Sequence, residues 1–161
     1  MQEYIEAASF QHYLEHAEIL SYEQAAAGLR AISSSALPET GEGLGIELGH
    51  EDYVLGIYDM TGELMRFAIT TMATNQALPS IPSDADGPER NVLTDMRALR
   101  SALEGLECGV GPFAKDAEKK AEVMRASVEK VERALYGLTV RGAERPKGWM
   151  PDLNAAVEVE G

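Results

Sequence analysis

A chain of 161 residues with 45% hydrophobic content can bury one ordinary core, and it is too apolar for a disordered chain. Its single cysteine, Cys108, cannot form an internal disulfide, and the start MQEYIEAASF has no basic region of signal-peptide type, so a cytoplasmic, non-membrane protein is expected. The formal charge of −13 comes from 27 acidic residues against five lysines and nine arginines, a balance that fits either a protein of a high-salt cytosol or an acidic protein of ordinary salt.

Apolar residues recur at helical spacing throughout, and no run alternates as a strand would. The first helix is predicted from Gln2 to about His16, and the second from about Tyr22 to Ile32. Ser33 to Ser35, Pro38 and the glycines at 41, 43, 45 and 49 then form a loop whose acidic run, Glu39 to Glu51, reads as solvated. A long third helix starts between Glu47 and Asp52 and ends near Ala73. Ala77 to Pro88, with three prolines, is a second loop. The fourth helix, about Glu89 to Leu106, carries Val92, Met96, Leu99, Leu103 and Leu106 in steps of four and three, and Gly109, Gly111 and Pro112 break it. The fifth, about Phe113 to Val140, repeats that spacing at Met124, Val128, Val131, Leu135 and Leu138, with Gly142 as its cap. The fold class is therefore all-α, an antiparallel bundle of five helices. Residues 1–148 form a single domain, and 149–161 form an acidic, flexible tail with Trp149 and Leu153 as docking points.

Two helices carry acid where apolar contact is expected. On the third, Asp52, Gly56, Asp59, Glu63, Arg66 and Thr70 share one narrow stripe of an otherwise apolar surface. On the first, Glu3 and Glu6 project on the side of Phe10, Tyr13, Leu14 and Ala17, whereas His12, Glu15 and His16 face solvent. Inward acid requires a cation, and of the basic residues only Arg66 shares the stripe. Glu3, Glu6, Asp59 and Glu63 therefore either hold a hard divalent cation such as Mg²⁺ or Mn²⁺, or divide between an exposed terminus and an Asp59–Arg66 ion pair. Arg141, Arg145 and Lys147 are the one basic cluster. They serve either nucleic-acid contact or the C-terminal end of the last helix dipole. Met60, Met65, Met72, Met96 and Met124 read as core filling, and Cys108 as a small apolar filler.

The segments QEYIEAASFQHYL (2–14), EDYVLGIYDMTGELMR (51–66), GVGPFAKDAEKK (109–120) and VEKVERALYGLTVRGAERPK (128–147) resemble the Trax branch of the translin family, and the pairing of EYxEA with DxTGE is specific. The resemblance implies a helical domain assembled into a hollow, octamer-like homo-oligomer that cleaves single-stranded RNA inside with Mg²⁺, for which Mn²⁺ substitutes; single-stranded DNA is a further partner. It assigns metal binding and catalysis to Glu3, Glu6, Asp59 and Glu63; one of these carboxylates is expected to act as general base, for which we choose Glu63. Acid abundance then points to a halophilic archaeal source. The alternative is a translin-like shell that binds single-stranded nucleic acid without cutting it. The chain departs from the family in its strong negative charge and in showing no partly basic helix ahead of the first acidic motif.

Overall fold

The largely apolar stretch of residues 50–75 forms the axis around which the other helices are arranged. The computed structural model describes residues 1–35, 46–81 and 90–141. They form α1 (Gln2–His16), α2 (Tyr22–Ser35), α3 (His50–Asn75), β1 (Ser80–Ile81), β2 (Arg90–Asn91), α4 (Val92–Glu104) and α5 (Pro112–Arg141). The fold is all-α apart from one short ladder, and no described helix is long and apolar enough to cross a membrane.

That ladder pairs Ser80 with Asn91 and Ile81 with Arg90, antiparallel, where the sequence predicted loop and the start of a helix. Two residues per strand are too few to show alternation, so the sequence carries no strand signal for them. The ladder also moves the start of α4 to Val92. Asn91 Oδ1 accepts from the Leu93 and Thr94 amides at 3.0 and 3.1 Å, and Thr94 Oγ1 accepts from the Asn91 amide at 3.0 Å, which completes a capping box. α3 starts at His50, within the expected range, and the other differences are small: α2 runs on to Ser35, α3 to Asn75, and α4 stops at Glu104. Gly109 and Gly111 take φ of 65° and 130° in the break before α5, a region open to glycine, and Pro112 then occupies the first helical position. Gly142 and the tail lie outside the described residues.

Contact order along the chain sets the helix directions. Gln2 meets Asp52 and Ile5 meets Gly56, so α1 and α3 run the same way. On α5, Ala117 to Met124 pack with Leu55 and Tyr58, and Val128 to Leu138 pack with Met60 to Met72, so α5 also runs parallel to α3. The pairs Arg97–Glu132 and Glu104–Arg125 place α4 antiparallel to α5. The main core joins Tyr13, the α3 methionines Met60 and Met72, Met96 of α4 and Val128 and Val131 of α5, and a second core joins Ile5 and Ile57 to α2. Four of the five methionines expected to fill the core, all but Met65, are fully buried.

One clamp crosses the molecule. Tyr13 donates its hydroxyl to Asp95 at 2.8 Å, and Arg90 donates to Asp95 at 2.7 Å and to the Ala17 carbonyl at 2.6 Å. It ties the end of α1 to β2 and α4. Burial and, after it, Asp95 push the Tyr13 phenol well above its ordinary value.

Candidate metal site

The stripe predicted on α3 is present, and its upper half is half-buried rather than solvated: the Asp59 and Glu63 side chains are 30% and 27% exposed. Gly56 lies within the stripe and is buried, because α1 crosses there closely enough that no side chain fits. This crossing brings Glu6 of α1 to the α3 carboxylates. Burial first, then the charges of Asp59 and Glu63, raise the Glu6 carboxyl above its ordinary value, and Arg66 and Lys120 oppose the rise.

Glu3 departs from expectation. The sequence placed α1 with Phe10, Tyr13, Leu14 and Ala17 inward; Tyr13 is buried and Phe10 packs against the core, but the buried stripe runs through Ile5, Ser9 and Tyr13, and Leu14 is 49% exposed. Helix α1 is apolar on two sides. The choice between them was made by α3, where Gly56 receives Ile5 and the Met60 region receives Tyr13. The rotation leaves Glu6 at the edge of the interface and Glu3 exposed. On the opposite side, His16 is exposed as expected, and its ring stands 4.5 Å from that of a half-buried His12.

The counter-ions also differ from expectation. Arg66 pairs with Glu63, one turn away on the same helix, rather than with Asp59. Asp59 is instead held by Lys120 of α5, whose Nζ donates to both carboxylate oxygens at 2.5 Å. The reading of the stripe alone missed Lys120 because the partner lies 61 residues away. A signal was present on α5: Lys120 stands among Ala117, Ala121 and Met124, on the flank of the buried face.

The site therefore contains three half-buried carboxylates, on α1 and α3, with one lysine and one arginine against them. Its donors are all oxygen, with neither sulfur nor imidazole, which is the chemistry hard divalent cations take. Among the described residues no three acidic, histidine or cysteine side chains already converge as a metal cage. Lys120 and Arg66 occupy carboxylate oxygens that such a cage would use. Below the site, a cleft of about 540 Å³ opens beside Gln2, Asp52, Phe113 and Asp116. Of the basic cluster, Arg141 is the last residue of α5, and Arg145 and Lys147 lie outside the described residues.

Comparison with known proteins gives a consistent result. A family model described as the translin family matches residues 1–142. The chain is 31% identical to translin-associated protein X of Rattus norvegicus over 166 aligned positions, covering 95% of this chain and 52% of that protein. It is 30% identical to the Pongo abelii protein of the same name over the same shares, and 29% identical to the Schizosaccharomyces pombe homologue over 90% of this chain and 52% of that one. The chain thus spans about half the length of the curated relatives it matches.

Proposed function

This chain belongs to the translin family, and from that premise we propose that it is a divalent-metal-dependent endoribonuclease of Trax type, cutting single-stranded RNA within an octamer-like homo-oligomeric shell. The observation that carries the proposal is the juxtaposition, across the α1–α3 crossing, of Glu6 with Asp59 and Glu63. These are the acidic positions of the two motifs, and a half-buried group of like charges is costly unless a cation joins it.

In this reading Glu6, Asp59 and Glu63 supply the oxygen ligands for Mg²⁺ or Mn²⁺. Glu3, one turn earlier on α1, is exposed and stands outside this set. The bound ion supplies charge stabilisation at the phosphate and an acidified water. Glu63 accepts the proton of the attacking water at a carboxylate oxygen, and Arg66 pairs with it from one turn further along α3. Arg141, Arg145 and Lys147 contact the RNA backbone, and their short-range contacts matter more in a −13 chain than long-range attraction does.

Isosteric removal of a single ligand tests the reading. Glu63→Gln and Asp59→Asn are expected to retain helicity and assembly and to lose at least about a hundredfold in Mg²⁺-dependent RNA cleavage, the scale on which general-base removal acts. Wild-type rates in both variants would refute the assignment.

One observation favours a second reading, a shell that binds single-stranded nucleic acid without cutting it. Asp59 and Glu63 already have internal partners, so they are satisfied without a metal. RNA retained by the purified chain in the presence of EDTA, with no cleavage when Mg²⁺ is restored, would establish that reading instead.

A further inference from the structure

The proposed chemistry leaves Lys120 without a role, although it is the most tightly engaged cation in the site. Its ammonium donates to both oxygens of Asp59, so neither oxygen is held by water alone. The pair links α3 to α5, with Lys120 26% exposed and Asp59 30% exposed. Arg66 differs on each count, since it pairs locally on α3 and its side chain is 69% exposed. The lysine stem is also confined, because Ala117, Ala121 and Met124 around it on α5 are buried against Leu55 and Tyr58.

An ammonium on those two oxygens does what a metal ion would do there: it offsets the charge of Asp59 beside Glu6 and Glu63. We propose that Lys120 is the built-in counter-cation of this site, a positioning residue that holds Asp59 towards Glu6 and competes with a divalent ion for the same two oxygens. The proposal rests on the reading that these carboxylates take such an ion. It follows that the unloaded chain keeps its carboxylates assembled without metal. When a divalent ion takes Asp59, the ammonium is displaced, yet it remains tethered to α5 beside the site. A compact point charge there suits a phosphate oxygen.

The test is direct Mn²⁺ binding to the full chain, followed by the electron paramagnetic resonance signal of free Mn²⁺, with no RNA and no turnover. Lys120→Met removes the competitor and keeps most of the stem, so Mn²⁺ affinity is expected to rise about three- to tenfold, as for loss of one partly exposed ion pair. Lys120→Arg retains a competing cation and should stay within about twofold of wild type. Asp59→Asn should lose the site. A residue serving stability alone would not raise metal affinity when removed, so unchanged or weaker Mn²⁺ binding in Lys120→Met overturns the proposal. If Asp59→Asn still loses binding in that case, the carboxylate reading stands without it. Wild-type Mn²⁺ binding by Asp59→Asn overturns both. Lys120→Gln is the second variant, and its affinity is expected to rise in the same direction. If neither Lys120→Met nor Lys120→Gln folds by far-ultraviolet circular dichroism and Mn²⁺ does not restore folding, the counter-cation is not replaceable by a divalent ion and the proposal fails.

Discussion

Two glycines six residues apart on α3 should respond to the same substitution with opposite sign. At Gly56, an added methyl would lie 2.6 Å from Ile5 Cβ, 2.8 Å from Ile5 Cγ2 and 2.9 Å from the Gln2 carbonyl oxygen. Carbon atoms pack favourably at about 3.5–4.0 Å, so α1 must retreat by roughly 1 Å. Ile5 is fully buried, and the Gln2 oxygen belongs to the backbone, so no rotamer change relieves the contact. Overpacking of this kind costs about 1–3 kcal/mol, and alanine regains about 1 kcal/mol of helix propensity. Gly56→Ala should therefore lose about 1 kcal/mol net, or about 2–4 °C in Tm for a chain of this size. At Gly62 nothing lies within 4 Å of the added methyl, so Gly62→Ala should gain about 0.5–1 kcal/mol. Urea unfolding followed at 222 nm, at one fixed protein concentration, measures both. The site provides a second readout: retreat of α1 carries Glu6 away from Asp59 and Glu63, so Mn²⁺ affinity should fall in Gly56→Ala and hold in Gly62→Ala. A Gly56→Ala midpoint at or above that of Gly62→Ala would refute the close crossing and, with it, the geometry on which the site depends.

Tyr13→Phe removes the 2.8 Å donation to Asp95 and should cost about 1.5–3 kcal/mol at neutral pH, as for a hydrogen bond to a charged group. Because the folded phenol is raised above its ordinary value, its contribution is fully present below about pH 10 and is lost as pH rises further. The variant should accordingly show a shallower alkaline loss of stability, and an unchanged alkaline limb would count against the clamp. Raising KCl from about 0.1 M towards 1 M shortens the Debye length from about 10 to 3 Å, which should increase self-association by light scattering and also RNA cleavage. EDTA should abolish cleavage at every KCl concentration. Activity that falls steadily with salt would refute the halophile reading, and activity that survives EDTA would refute the metal site.

Most of the helical architecture was legible in the chain because helix formation is encoded locally. Apolar spacing, Pro112, the glycines before it and the long apolar run of α3 each act within a few turns, and the five helices lie close to where these signals put them. The α3 stripe was legible for the same reason, since Asp59 and Glu63 share a face of any α-helix. The quantities that needed tertiary structure were those set between elements. Helix α1 has two sides that could be buried, and Tyr13 was legible as inward, but the close approach of Ile5 to Gly56 of α3 turned the helix so that Ile5 and Ser9 are buried with it, leaving Glu3 exposed and Glu6 at the edge. The β1–β2 ladder is held by pairing between two separate segments, with too few residues in each to leave a pattern. The partner of Asp59 could not be read from the stripe, which offered Arg66. A charge buried among like charges is satisfied by whichever cation the packing delivers, and here the parallel seating of α5 on α3 delivers Lys120 from 61 residues away.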